Sequence, residues 1–516
     1  MVFSHPSGER RLLVELEAEA PHRLTGLELE GGAAPAAPPP QPEPEGYAEV
    51  DALARNLVGF LARGELQTAV RRTTAPRLRE RYGDAELTRV LGEVRSALGG
   101  ENEEFSFRAV EADGEDLWVH VDVAGRDEMR FRVFVTEDAP YLIRGIDTRP
   151  TPVVNADDVT PDEWPDRIRD FVDERVRRGE FSGAVAVGRR GEPLLAEAWG
   201  IADAETGRPV TVHTPLNLGS MNKMFTGLAL AQVEAEGGVD FDDTVGEYLP
   251  DYPNASIREE ATLHQLLTHT AGIPGYWNSA YVAARDTITT LAGFIDTFAT
   301  EPLLFEPGTE WGYSNGGPVV AGRILEVATG ESYYDYVRSH IYGPAGMTDS
   351  DHYPRPDPDG RIAIGYEAIV EGEPRGPNTA NMGGIGSPAG GGYSTVLDLV
   401  RFAGALDRGT LLDPEALETV WSPPRQGPES GRYGYLWSSG TTAGHRWVGH
   451  NGGGPGVSAD FRYFPETGHV IVVLSNVSGG AMPVSNWITE LVAAHLDPFD
   501  QSLPGGARAA RPGAAH

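Results

Sequence analysis

The stretch "LNLGSMNKMFTGLALAQVEAEGG", residues 216–238, holds Lys223, and among the 42 lysines and arginines of the chain this is the one lysine. A chain that uses arginine at every other cationic position has kept a lysine three residues after Ser220. Apolar spacing predicts a helix from 219 to 236, and residues i and i+3 of a helix share a face. The Ser220 hydroxyl therefore falls beside the Lys223 amine, at a helix N-terminus whose free N–H groups favour developing negative charge. A serine nucleophile needs a neighbour to take its proton. Lysine can do this when burial lowers its pKa, whereas arginine stays protonated. Ser-x-x-Lys on its own is a weak signal, so the reading depends on what else the chain carries.

Two further motifs stand downstream. "FEPGTEWGYSNGG" (305–317) contains Tyr313-Ser314-Asn315, and "VGHNGGGPGVS" (448–458) contains His450-Asn451-Gly452 between strand-like segments. With these three motifs in this order, the chain resembles the serine β-lactamase and penicillin-recognising superfamily. The likeness is greatest to the branch of class C β-lactamases, D-alanyl-D-alanine carboxypeptidases, D-aminopeptidases and related esterases, in which Tyr-x-Asn replaces the Ser-Asp-Asn of the general pattern. "LHQLLTHTAGIP" (263–274), "YGPAGMTDS" (342–350) and "SPAGGGYSTVLDLVRF" (387–402) are phrases typical of that branch. The resemblance covers residues 161–498 and none of the first 150.

The resemblance implies a role for each motif residue. Ser220 is the nucleophile that forms an acyl-enzyme, and Lys223 and Tyr313 share the base work, with the neighbouring ammonium favouring the phenolate of Tyr313. Tyr313 then returns a proton to the leaving group. Asn315 binds Lys223 and the acyl side of the substrate. Backbone N–H groups of Ser220 and Gly453 hold the oxyanion, and Gly452 and Gly453 let a strand edge approach closely. His450 stands where many β-lactam-hydrolysing relatives have lysine; it keeps hydrogen bonding but carries charge only below a pKa of about 6.5, which places β-lactamase activity in doubt. His264 and His269 lack the spacing and glutamate of a zinc-protease helix and read as structural.

The function expected is a cofactor-independent serine hydrolase, with no metal, acting through an acyl-enzyme on an ester or on an amide such as a peptide with a terminal D-amino acid. Acyl transfer by the same intermediate is one alternative. A non-catalytic sensing module of penicillin-binding type is the other, although a retired site has no need of the chain's only lysine.

Composition limits the remaining possibilities. The 516 residues are too many for one core, and 40% hydrophobic content without a long apolar run predicts a globular chain with no membrane span. A net charge of -34 argues against a nucleic-acid partner, leaving a small molecule or peptide as the substrate. The absence of cysteine removes disulfides and thiolate chemistry. No secretory signal is visible, so a cytoplasmic location is expected, with export open if a segment precedes this one. Oligomeric state is not readable.

The fold class expected is α+β and multidomain: an antiparallel sheet built from both ends of the 161–498 domain, carrying a helical insertion, preceded by a small α+β domain at 47–150. The order of that small domain resembles the cone-shaped domains related to nuclear transport factor 2. "GGAAPAAPPPQPEPEG" (31–46) reads as an extended linker, and 499–516 as a frayed tail. Residues 9–30 overlay 128–149 at a constant offset, Ala20-Pro21 falling on Ala139-Pro140 and Gly26 on Gly145. Residues 1–30 then read as the last hairpin of an upstream copy, or as a strand pair added to the next domain.

Overall fold

The computed structural model describes residues 2–4, 11–16, 24–30, 47–98, 104–113, 116–124, 129–135, 141–146, 151–152, 154 and 159–496, except 356, 358, 371, 381 and 423–432. The linker at 31–46 and the tail at 499–516 lie outside these residues. The chain divides into two compact units, one drawn from Met1–Arg95, Phe105–Val121 and Arg132–Ile146, the other holding the remainder.

The first unit is α+β. Helices Tyr47–Ala62, Leu66–Thr73 and Pro76–Ala97 are followed by strands Phe105–Asp113, Asp116–Val123, Met129–Val135 and Ile143–Ile146, neighbours in that order with the last pair antiparallel, although residues 96–104 and 122–131 group with the second unit. The last helix is interrupted at Gly83, whose φ of 77° places it in the left-handed region that glycine enters without steric cost. The repeat seen in the sequence recurs in the strand pairing. Val14 faces Leu27 as Val133 faces Ile146, Glu15 faces Gly26 as Phe134 faces Gly145, and each pair of strands shifts register at the next residue.

The second unit is built on a six-stranded antiparallel sheet. Its strands are β1 Gly183–Arg189, β2 Glu192–Trp199, β3 Ser438–Thr442, β4 His445–Gly454, β5 Val457–Phe464 and β6 His469–Ser475, in the spatial order β2-β1-β6-β5-β4-β3. The five helices that matter here are α1 Trp164–Arg177, α2 Lys223–Ala235, α3 Gly316–Thr329, α4 Val396–Asp407 and α5 Ala481–Ala493.

Side chains alternate across a strand, and β1 and β6 are apolar on both faces. Val185, Val187, Ile471 and Val473 pack with Ile168 and Val172 of α1 and Val484, Ile488 and Leu491 of α5. Ala184, Ala186, Val470, Val472 and Leu474 join the larger core formed with α2, α3 and α4. The first and last helices therefore cover one face while the helical insertion covers the other. β3 escaped the sequence reading, because its "SSGTT" offers no apolar alternation to detect.

β3 is also short in a way that matters. Its last partner on β4 is Gly449, opposite Ser438. Residues 450–454 continue pairing with β5 alone, so their other edge is open beside the start of α2.

Candidate active site

The turn into α2 is shaped before the helix begins. Gly219 has φ 51°, a left-handed conformation, and its N–H donates to Asn217 Oδ1 at 2.8 Å. A 3-10 turn, Gly219–Asn222, then runs into α2 at Lys223. The segment from 387 to 394 wraps this turn: Leu218 N–H donates to Gly392 O at 2.8 Å, and Leu216–Asn217 pairs with Tyr393–Ser394. Ser220 stays partly accessible at the top of the helix, while Lys223 is fully buried beneath it.

Lys223 Nζ lies 3.1 Å from Ser220 Oγ, 2.7 Å from Asn315 Oδ1 and 2.6 Å from Ala389 O. Burial holds its pKa well below the ordinary lysine value, because a desolvated ammonium has lost its hydration. A neutral amine has two N–H donors and one lone pair. Asn315 Oδ1 and Ala389 O can only accept, so they take both donors, and the lone pair is left for the Ser220 proton.

Tyr313 completes the first group of side chains. Its ring centroid is 4.8 Å from Lys223 Nζ, and its hydroxyl is hydrogen-bonded to Ser220. The residue keeps 40% of its surface exposed, yet the hydroxyl end is enclosed enough that desolvation pushes its pKa up to about 12, against the lowering effect of Ser220. This corrects the sequence expectation of a phenolate favoured by a lysine ammonium. Burial acts in opposite directions on an acid and a base: it keeps the phenol protonated and shifts the amine toward its neutral form.

Asn315 stands at the N-cap position of α3 without capping it; Ser314 Oγ instead accepts from Gly316 N at 3.0 Å and Gly317 N at 3.3 Å. The Asn315 side chain is thereby released to hold Lys223.

The open edge of β4 supplies the other wall. A Cβ built on Gly219 would lie 3.0 Å from Gly453 N, and one built on Gly452 would lie 1.9 Å from Leu218 O and 3.0 Å from Ser220 N. The two strand glycines and the nucleophile turn thus meet backbone to backbone. His450 is buried, and desolvation is the main cause that lowers its pKa to about 3. At neutral pH it is therefore an uncharged ring, further from a cation than its ordinary value alone would make it.

All seven residues singled out in the sequence, Ser220, Lys223, Tyr313, Asn315, His450, Gly452 and Gly453, fall in this one region. Three contributors were not anticipated. Ala389 acts through its carbonyl, which side-chain chemistry cannot reveal. His269, read as structural, accepts from Ser314 N at Nδ1 (3.3 Å), and its ring lies 4.5 Å from that of Tyr313. Tyr433 lies between His269 and His450, with its hydroxyl 3.1 Å from His269 Nε2 and 2.9 Å from His450 Nε2. No motif surrounds it in the sequence.

Comparison with known proteins places this arrangement among relatives. Residues 168–495 match the family model described as Beta-lactamase. The chain is 30% identical over 319 residues to penicillin-binding protein 4* of Bacillus subtilis, covering 58% of this chain and 68% of that protein. It is 35% identical over 198 residues to esterase EstB of Burkholderia gladioli, covering 36% of this chain and half of that one. Among solved structures, D-amino acid amidase from Ochrobactrum anthropi complexed with D-phenylalanine superposes with a TM-score of 0.54 at 25% identity, over 64% of this chain and 98% of that one.

Proposed function

Because the chain belongs to the β-lactamase family, we propose that this serine hydrolase works through an acyl-enzyme on Ser220 and prefers uncharged esters or amides. The observation that carries the reading is the hydrogen-bond inventory of Lys223, whose two carbonyl-type acceptors leave its lone pair to Ser220.

Acylation then proceeds with both protons accounted for. As Oγ bonds to the substrate carbonyl, its proton passes to Lys223 Nζ, and the oxyanion is received by the N–H groups of Ser220 and Gly453. When the tetrahedral species collapses, the bond to the leaving group breaks and Tyr313 gives that group its proton. The site now holds an ammonium at Lys223 and a phenolate at Tyr313, which stabilise each other across the short distance between them. In deacylation the phenolate takes a proton from water, hydroxide attacks the acyl carbon, and Lys223 returns its proton to Ser220 Oγ. The cycle closes without a cofactor.

Preference for neutral substrates follows from His450. A fixed cation at this place would attract a substrate carboxylate, but the buried ring is uncharged at neutral pH. The esterase and the D-amino acid amidase among its relatives support the ester and amide class.

A panel of p-nitrophenyl esters, D-amino-acid p-nitroanilides and the β-lactam nitrocefin tests it, alongside fluorophosphonate labelling. Labelling at Ser220 is expected, with neutral esters and amides turned over at least about tenfold faster than the carboxylate-bearing β-lactam. Nitrocefin as the best substrate would refute the preference, and failure of Ser220 to label would refute the acyl-enzyme.

A further inference from the structure

Four hydrogen bonds run in series between the two walls of the site. Ser314 N–H meets His269 Nδ1 at 3.3 Å, His269 Nε2 meets Tyr433 Oη at 3.1 Å, Tyr433 Oη meets His450 Nε2 at 2.9 Å, and His450 Nδ1 meets Asn451 O at 2.6 Å. The ends determine the direction. A backbone N–H can only donate and a backbone carbonyl can only accept. A neutral imidazole has one N–H and one lone pair, and burial keeps both rings neutral. His269 therefore accepts at Nδ1 and donates from Nε2, Tyr433 accepts that bond and donates onward, and His450 accepts at Nε2 and donates from Nδ1. Only a group that both accepts and donates through one atom can join the two rings, and the phenol hydroxyl is such a group.

The chain also joins parts that the fold leaves separate. Ser314 lies next to Tyr313 in the loop before α3, while Asn451 lies next to Gly452 on the open edge of β4. His269 occupies the left-handed region at φ 60°, which a non-glycine residue adopts only where its surroundings hold it there. Its carbonyl accepts from Gly312 N at 2.9 Å, so backbone and ring together secure the loop that carries Tyr313. The rings of Tyr313, Tyr433 and His450 pack within 6.4 Å of one another.

We propose that Tyr433 is a positioning residue for acylation: its hydroxyl sets the tautomers of His269 and His450 and, through them, holds the Tyr313 loop against the glycine strand. The proposal rests on the acyl-enzyme reading of the site. Misplacement of a catalytic group by a fraction of an ångström is enough to slow a reaction without weakening ground-state binding.

Nitrogen-15 histidine spectra of the full-length wild type, assigned with His269→Gln and His450→Gln, test the tautomers without relying on a Tyr433 variant. The expected result is Nε2–H on His269 and Nδ1–H on His450 at pH 7; the opposite tautomer on His450 overturns the proposal. Tyr433→Phe, which removes one oxygen, should lower kcat for a p-nitrophenyl ester about tenfold, leave KM within about twofold, and change the His450 Nε2 signal. Native kcat with unchanged spectra overturns the proposal while leaving the acyl-enzyme intact, provided Ser220→Ala is inactive. An active Ser220→Ala would instead bring down the underlying reading.

Discussion

Lys223 is where general acid–base chemistry and simple charge make different predictions. Arginine keeps the positive charge but cannot surrender its proton, and general-base help is worth about 10² to 10⁴ in rate. Lys223→Arg and Lys223→Met should both lose at least about a hundredfold in acylation, read as single-turnover release of p-nitrophenol, and Tyr313→Phe a comparable amount. Near-native acylation by Lys223→Arg would make the amine only a fixed cation. The pH profile follows from the same groups. The base must be neutral and the acid protonated, so kcat/KM should rise with pH as Lys223 loses its proton, at a value well below that of free lysine, and fall only toward the Tyr313 value of about 12. No limb near pH 6.5 is expected from His450, whose pKa of about 3 lies far below it.

At the scale of elements, the decisive feature is a strand that outlasts its neighbour. β3 stops at the partner of Gly449, and the next residues of β4 can approach the nucleophile turn because they carry no Cβ. The two glycines are not equivalent. A methyl on Gly452 meets the backbone of Leu218 and Ser220, which no rotamer change relieves, whereas a methyl on Gly453 meets nothing within 4 Å. Gly452→Ala should therefore lose ester hydrolysis by about a hundredfold or more, with a lowered melting temperature, while Gly453→Ala keeps the wild-type melting temperature within a few degrees. Equal tolerance of both changes would mean that the strand edge is not in contact with the turn. The repeated hairpin carries a lesson at this same scale: two sequences at a constant offset share both their register and the position of their register shift. Register of this kind follows the alternation of apolar and polar positions, which the two sequences share.

For the molecule as a whole, burying ionisable groups near the site carries a cost that depends on pH. His269, His352 and His450 are all buried with pKa values lowered, first by desolvation; that of His352 falls to about 4 and that of His450 to about 3. Each is protonated near 6.5 in the unfolded chain. Between the folded and unfolded values the unfolded state binds more protons, so stability is complete above about 6.5 and is lost as pH falls toward 4 and below. Each histidine contributes up to about 1.4 kcal/mol per pH unit in that window. Urea midpoints should drop between pH 7 and pH 4.5, and His352→Gln, a change at a residue with no direct hydrogen bond to Lys223, should show a shallower drop. A midpoint slope identical to the wild type would remove His352 from the account.

The amino-acid sequence by itself determined the reaction class and most of the strands and helices that hold it, β3 excepted. Ser220, Lys223, Tyr313 and Asn315 stand in motifs that are read from the sequence alone, and the apolar runs of β1 and β6 and the apolar faces of α1 and α5 require burial. Only the tertiary structure decided how those groups are charged and how they are held. Desolvation depends on every atom that surrounds a side chain, and those atoms come from segments far apart in the chain, so the protonated Tyr313 and the depth of burial that depresses the pKa values of Lys223 and His450 could not be read locally. Tyr433 and the carbonyl of Ala389 stayed hidden for a related reason. A hydrogen-bond partner is defined by where it ends up in space, and neither residue carries in its own neighbourhood any pattern that points to the site.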